Sequence, residues 1–230
     1  MIKIFDKELK LLILDVDGVM LDLVANFQTN LEVVASQMDL PLEPLRRFLN
    51  DTRSGLHKGS PRFGDIIRNV WSANEEKVRE FRQKFGLREY HFPYPPIAGS
   101  LETIKWFRTE KVLVAICTNN SLSSLALRFD AAKIDPSLFV ICCTPHFIYY
   151  KPDIRILHQL FSTVPDIPRD NMLFVGDWWP DMEVARKTGI DFVAVTSGGL
   201  PRETFAKDGI PEDHILSKLS DLKNITTKIL

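Results

Sequence analysis

Five continuous apolar runs, each as long as a typical β-strand, are the feature that most constrains the fold of this 230-residue chain. They are rich in Val, Ile, Leu or Phe and contain no regular alternation with polar residues. They occupy residues 11–14, 112–117, 138–143, 172–175 and 192–195. Because continuous runs are typical of strands buried on both faces, they predict a parallel sheet covered by helices.

Segments with helical spacing lie between these runs. Residues 100–109, 152–161 and 180–188 each place apolar side chains toward one side, and Gly189 is suited to end the last of them. Another helix is expected to begin near Leu122. Strand followed by helix, repeated along the chain, predicts an open, doubly wound α/β fold.

Residues 21–96 interrupt this alternation, because they carry helical patterns and no convincing buried strand. The patterns cover residues 23–38, 44–49, 65–71 and 74–85. The stretch HFPYPPIAG, rich in Pro, then returns the chain to the sheet. We therefore expect an α/β core formed by residues 1–20 and 97–230, with an inserted helical cap domain at 21–96.

Composition narrows the partners and the compartment. With 29 basic and 30 acidic residues the formal charge is −1, which gives no whole-chain reason to expect nucleic acid or a membrane surface as a partner. No apolar stretch is long enough to span a bilayer, and the amino terminus lacks a signal-peptide pattern. The three cysteines are typical of reduced core residues. We expect a cytoplasmic monomer or homodimer.

The first apolar run leads directly into Asp15-Val16-Asp17-Gly18. Side chains two residues apart on extended backbone point the same way, and two adjacent carboxylates are costly unless they share a cation or a proton. A solvated turn with a helix cap would use the same residue types.

Polar residues also follow the next two runs. Thr118-Asn119-Asn120-Ser121 precedes a predicted helix, where hydroxyl groups and free amides can bind an anion, although N-capping by Ser121 or Asn120 explains the same residues. Lys151 stands before Pro152, which suits the first turn of a helix. Its ammonium could neutralise a phosphoryl group, but most lysines are simply solvated.

The fourth run ends at Gly176-Asp177, and Asp181 follows in the predicted first helical turn after Pro180. Capping can explain Asp181, but it explains Asp177 less well. In an open parallel sheet the carboxyl ends of the strands share one crevice. Together, the polar residues at the four strand ends therefore predict a hard-cation site beside a phosphate site.

These motifs resemble those of the haloacid dehalogenase-like superfamily, in the order DVDGV, CTNNS, YKPD and VGDWWPD. The position and length of the helical insertion look like those of the cap in the phosphoglycolate phosphatase and β-phosphoglucomutase branch. Two features depart from the pattern. Trp178-Trp179 is a bulky pair inside the fourth motif, and residues 20–23 lack the Ser or Thr often found there.

The resemblance implies a Mg²⁺-dependent phosphohydrolase that acts on a small phosphorylated metabolite through a covalent aspartyl-phosphate. Asp15 would be the nucleophile, and Asp17 the general acid and then the base. The magnesium ligands would be the side chains of Asp15 and Asp177, the carbonyl of Asp17, and Asp181 through water. The catalytic and phosphate-binding set would be completed by Gly18, Thr118, Asn119 and Lys151.

Specificity is expected to come from basic residues of the cap, which could meet a second anionic group on the substrate. Aromatic residues beside the strand ends could surround the mouth of the site and stack on a sugar or base. Solvated charges and ordinary packing explain the same residues. The basic candidates are Arg46, Arg47, Arg53, His57, Lys58 and Arg62, and the aromatic ones are Tyr149, Tyr150, Trp178 and Trp179.

Three other functions fit the same core. A dehalogenase would not normally keep an acid at the position of Asp17. A phosphomutase shares all the core residues and differs in how the cap excludes water. A non-catalytic binding protein on this fold would be expected to have lost at least one motif, and here all four are intact.

Overall fold

A six-stranded parallel sheet forms the centre of the computed structural model, which describes residues 2–56, 58, 62–145 and 149–228. Its strands are β3 (Leu11–Leu14), β4 (Leu113–Cys117), β5 (Cys142–Cys143), β6 (Met172–Gly176), β7 (Asp191–Val195) and β8 (Ile215–Leu216). They lie in the order β5-β4-β3-β6-β7-β8. The predicted parallel α/β sheet is therefore confirmed, and β3 is the strand from which the order proceeds in both directions.

Helices cover both faces of this sheet. One face packs on α5 (Ser100–Thr109) and α6 (Leu122–Ala132), and the other on α7 (His158–Thr163), α8 (Trp179–Thr188) and α9 (Arg202–Lys207). Strand β3 feeds both cores, since Leu12 and Leu14 belong to the first cluster and Leu11 and Ile13 to the second. All four side chains are fully buried, which explains why the run is continuous rather than alternating.

The segment between β3 and α5 is helical, as expected. It contains α1 (Leu23–Gln37), α2 (Leu42–Arg53), α3 (Phe63–Trp71) and α4 (Glu75–His91). These helices enclose a third apolar cluster of their own, with Phe81 fully buried in it. A separate cluster supports the predicted domain boundaries, which remain a prediction.

Two sequence expectations were wrong in detail. In the third apolar run only Cys142 and Cys143 form a strand, because β5 lies at the sheet edge and pairs with just the last two residues of β4. Pro152 does not begin a helix. Asp153 is the capping residue instead, its side chain accepting from the amide of Arg155, and a 3-10 turn over Ile154–Leu157 leads into α7.

A small antiparallel sheet was not predicted from the sequence. It joins β1 (Ile2–Ile4), β2 (Lys7–Glu8) and β9 (Thr226–Lys228), with β1 in the centre. The three cysteines form no disulfide, as expected. Among the described helices, none combines the length and the apolar character that crossing a membrane requires.

We expect Phe81→Ala to destabilise the helical segment by about 3–5 kcal/mol, because it removes a large buried side chain and leaves a cavity. If residues 21–96 form a domain, urea unfolding of the variant should show an early transition that the α/β core does not share. Leu87→Ala on the same helix, at a position 64% exposed, is the matched control and should change stability by less than about 0.5 kcal/mol. A single coincident transition would count against the division into domains.

Candidate active site

The candidate site lies at the carboxyl ends of β3, β4 and β6. Asp15 follows β3, Thr118 follows β4 and Asp177 follows β6, so the parallel register brings three separate chain segments to one edge. Asp181 comes from the first turn of α8, and Lys151 from the connection between β5 and α7. All five residues are buried. The structure thus brings close together the polar residues that were predicted to follow the strand ends.

Lys151 is the centre of this group. Its Nζ lies 2.8 Å from Asp15 Oδ1 and 2.5 Å from Asp181 Oδ1, and it donates to the carbonyl of Cys117 at 3.0 Å. Burial alone would lower the pKa of Lys151, but the carboxylates of Asp15 and Asp181 hold that pKa above its usual range. The side chain is therefore a buried ammonium rather than a solvated lysine.

Asn119 holds Lys151 in place through the backbone. Its Oδ1 accepts from the Lys151 amide at 2.8 Å, and its Nδ2 donates to the Lys151 carbonyl at 3.3 Å. From the sequence, Asn119 was expected only as a member of the phosphate-binding set. The structure shows that its side chain also joins the loop after β4 to the lysine.

Three carboxylates crowd around this one ammonium. Oxygen atoms of Asp15, Asp177 and Asp181 lie within 4.8 Å of one another. Burial raises the pKa of Asp15 to about 7, against the opposing effect of Lys151. Burial, and then the charges of Asp15 and Asp181, raise the pKa of Asp177 well above its ordinary value. Burial also raises the pKa of Asp181, with Lys151 again opposing.

The group fits a hard divalent cation. The oxygens of Asp15, Asp177 and Asp181 share one ammonium, that of Lys151, which lies 2.8 Å from Asp15 Oδ1 and 2.5 Å from Asp181 Oδ1. Buried carboxylates without enough positive charge beside them are costly, and a cation would offset the excess negative charge. Carboxylate oxygens are also the donors that Mg²⁺ prefers. The residues present are therefore suited to the cation that the motifs imply.

Glycines make room for the carboxylates. Gly18 has a φ of +79°, and a Cβ placed there would lie 2.6 Å from Asp177 Cγ and 2.7 Å from the Gly198 Cα. A Cβ at Gly176 would similarly lie 2.6 Å from Asp181 Cγ. The Gly18 amide donates to the Leu21 carbonyl at 2.8 Å, so in this structure it closes the turn.

Asp17 lies apart from the three clustered acids. Its Oδ2 accepts from Asn120 Nδ2 at 2.8 Å and its Oδ1 accepts from Arg128 Nε at 3.1 Å. Asn120 also donates through its amide to Thr118 Oγ1. Arg128 was not among the residues predicted from the sequence, because an arginine that contacts a site from an amphipathic helix has the same sequence pattern as a solvated one.

Helix capping, the alternative explanation for Ser121 and Asp181, occurs in the structure together with the clustered site. Ser121 Oγ accepts from the Ser124 amide at 3.2 Å and caps α6. Asp181 Oδ2 accepts from the Trp178 amide at 3.2 Å, while its other oxygen contacts Lys151. Asp181 therefore both caps α8 and takes part in the charge cluster.

A cavity of about 510 Å³ opens over these residues and is closed on its other side by α3 and α4. Its lining includes Arg62, Tyr150 and Trp178 among the specificity candidates, and Arg68 and Arg82 from α3 and α4, which the sequence analysis did not select.

Other specificity candidates make different contacts or lie elsewhere. Arg46 pairs with Glu32 at 2.9 Å, and Arg53 donates to Gln28 at 3.0 Å. Trp179 donates through its ring nitrogen to the carbonyl of Lys58. Arg47 and Tyr149 do not line the cavity, and the ring of Tyr149 lies under Arg155. His57 lies outside the described residues.

We expect Asp177→Asn to raise the Tm of the metal-free protein at about pH 8 by about 3–8 °C, because burial and the charges of Asp15 and Asp181 disfavour the ionised form of this carboxyl and raise its pKa. A carboxyl whose folded pKa is raised stabilises the fold below its unfolded pKa of about 4, and this contribution is lost as pH rises through the folded pKa. The gain in Tm should therefore shrink as the pH is lowered toward about 5.

Thermal unfolding with and without Mg²⁺ measures both effects. Mg²⁺ should raise the Tm of the wild type and have little effect on Asp177→Asn, because the ion binds the folded state through that carboxylate. Asp130→Asn, at a side chain 82% exposed, is the control and should follow the wild type. Equal responses of Asp177→Asn and the wild type would contradict a cation site here.

Comparison with known protein sequences gives both a matching family and similar individual proteins. The family model described as haloacid dehalogenase-like hydrolase matches residues 12–195. A phosphoglycolate phosphatase from Pseudomonas syringae pv. syringae (strain B728a) is 24% identical over 201 residues, which cover 82% of this chain and 70% of that protein.

Solved structures share the fold. A predicted phosphoglycolate phosphatase from Haemophilus somnus 129pt has a TM-score of 0.75 at 18% identity, covering 94% of this chain and 97% of that one. CbbY from Rhodobacter sphaeroides, solved in complex with phosphate, has a TM-score of 0.71 at 14% identity, covering 93% and 96%.

Proposed function

Because the chain belongs to the haloacid dehalogenase-like hydrolase family, we propose that it is a Mg²⁺-dependent phosphatase that cleaves a small phosphomonoester through a covalent intermediate on Asp15. The observation that carries this proposal is the buried ammonium of Lys151, 2.8 Å from the Asp15 carboxylate, in a cluster with the carboxylates of Asp177 and Asp181. Similar proteins named phosphoglycolate phosphatase support a phosphate ester as the substrate.

In this proposal each residue of the site has its own role in phosphoryl transfer. The Asp15 carboxylate attacks phosphorus and carries the phosphoryl group until water removes it. Lys151 and the Thr118 hydroxyl bind the transferring oxygens and stabilise the charge that develops on them. Asn119 contributes its amide and positions Lys151 through the two hydrogen bonds described above.

Asp17 protonates the leaving oxygen and then takes a proton from the attacking water. Asp15, Asp177 and the carbonyl of Asp17, with Asp181 through water, would hold Mg²⁺, which would supply positive charge to offset that of the nucleophile and the phosphate. The turn at Gly18 keeps side chains away from Asp177, so that its carboxylate can reach the ion.

The proposed nucleophile can be tested by substitution. Asp15→Asn should lower kcat for p-nitrophenyl phosphate by at least about 10³-fold, because the amide cannot carry the phosphoryl group. Thr118→Val should cost about 10²-fold through the loss of one donor. Phosphate release with and without Mg²⁺ measures both, and Asp130→Asn serves as the control. Unchanged turnover in Asp15→Asn would exclude the covalent route.

The alternatives give different products. A phosphomutase would convert one sugar phosphate into its isomer without releasing phosphate, and a binding protein would do neither. A panel of phosphoglycolate, sugar phosphates and nucleotides, analysed for both phosphate and isomers, separates the three. Isomer formation without phosphate release would replace the phosphatase proposal.

The cavity also favours a substrate with a second anionic group. Four arginines line the cavity. Arg128 is paired with Asp17 and Glu89, Arg68 is paired with Asp65 and Glu75, and Arg62 lies over the Tyr150 ring at 5.1 Å. Within the described residues, Arg82 has no ion-pair partner, and it lines the cavity from α4. We propose that it meets a carboxylate or second phosphate on the substrate.

Arg82→Gln should raise KM for phosphoglycolate about 10-fold, because a hydrogen bond to a charged group contributes roughly 1.5–3 kcal/mol. The KM for p-nitrophenyl phosphate, which lacks the carboxylate, should change much less. Arg79→Gln is the matched control, since it removes an exposed arginine three residues earlier on α4 that does not line the cavity. An equal rise in KM for both substrates would contradict this role.

A further inference from the structure

Arg128 connects Asp17 with the helical segment. Its Nε donates to Asp17 Oδ1 at 3.1 Å, and its Nη2 donates to Glu89 Oε1 at 2.8 Å. Arg128 belongs to α6 of the core and Glu89 to α4. Their side chains are only 11% and 16% exposed, so this ion pair is largely screened from water. Neither residue belongs to the four motifs.

Tyr94 completes the connection. Its hydroxyl donates to the same Glu89 oxygen at 2.7 Å, and the Arg128 guanidinium lies over its ring at 5.2 Å. Tyr94 itself is buried, in the segment that returns the chain from α4 to α5. Glu89 is thus held by two donors, and the plane of Arg128 is fixed by contacts on both its edge and its face.

Both oxygens of Asp17 are therefore held from outside the cation cluster. Asn120 holds Oδ2 and Arg128 holds Oδ1. A carboxylate that transfers a proton works only within hydrogen-bonding reach of the reacting oxygen, so its orientation limits the rate. The planar fork of an arginine can fix such an orientation, whereas a flexible ammonium could not.

We propose that Arg128 is a positioning residue that orients the Asp17 carboxylate for proton transfer, and that Glu89 and Tyr94 hold Arg128 in that orientation when α4 packs against α6. The inference rests on the proposed phosphatase function. It makes the proton-transfer geometry depend on the placement of the helical segment. The alternative is that these residues only pack α4 against α6. In that case their substitution would slow all substrates to the same extent, whatever the leaving group.

The test compares Arg128→Gln and Glu89→Gln on two substrates by rapid mixing. Phosphoryl transfer from an alkyl phosphomonoester needs a proton on the leaving oxygen and should slow by about 10²-fold. Transfer from p-nitrophenyl phosphate does not need that proton and should slow by less than about 10-fold. Because dephosphorylation still needs Asp17, the variants should release one equivalent of p-nitrophenolate in a burst and then turn over slowly.

The two residues should act as one unit. Adding Glu89→Gln to Arg128→Gln should produce no further loss of the alkyl-substrate rate. Urea unfolding of the metal-free single and double variants should also be non-additive, which reports the pair without any turnover. Arg88→Gln is the matched control, because Arg88 lies beside Glu89 on α4 but donates to Asn30 and stacks on Phe92. It should preserve the wild-type ratio between the substrates.

Equal slowing of both substrates, or no slowing of either, would overturn the positioning role while leaving the phosphatase proposal intact. Wild-type protein that released no phosphate from any substrate would overturn both. If Arg128→Gln failed to fold, Glu89→Gln would carry the same test, because it keeps the arginine and removes only the charge that holds it. A selective loss in Glu89→Gln supports the proposal, and an unselective one overturns it.

Discussion

Three carboxylates, those of Asp15, Asp177 and Asp181, are buried at one edge of the sheet beside the ammonium of Lys151, and this imbalance of charge constrains the surrounding loops. Desolvated negative charge is costly, so each oxygen must find a donor or share a cation. The Lys151 ammonium answers part of that demand. Asp15, whose Oδ1 lies 2.8 Å from that ammonium, is the residue with the most exacting proposed role.

The same crowding explains the backbone around the site. Side chains at Gly18, Gly176 or Gly198 would collide with the carboxylates of Asp177 or Asp181, so the chain passes close by only where it has no Cβ. The parallel register then sets the spacing, because β3 lies between β4 and β6 and its end faces both neighbours. Packing of apolar strands thus determines where the charges meet.

Sequence patterns predicted those parts of the fold that depend on neighbouring residues in the chain. Helix α5 was expected at its observed bounds, and the strand ends located the motif residues, because burial on both faces requires continuous apolar runs. The antiparallel sheet has strands of two or three residues with charged side chains, which leave no such pattern. Arg128 and Glu89 lie 39 residues apart in the chain, on two different amphipathic helices. In the sequence each of them has the pattern of an ordinary solvated charge on such a helix.

The helical segment is inserted shortly after Asp15 and Asp17, the residues proposed to carry out the chemistry. The chain leaves the sheet through Asp15 and Asp17, and only a few residues later its outgoing and returning segments are joined by hydrogen bonds. The Asp22 amide donates to the Pro95 carbonyl and the Ile97 amide to the Met20 carbonyl. This paired connection therefore lies within a few residues of Asp17. The link from Glu89 on α4 through Arg128 reaches the Asp17 carboxylate itself, so the placement of the helical segment bears on Asp17 both through the chain and through this link.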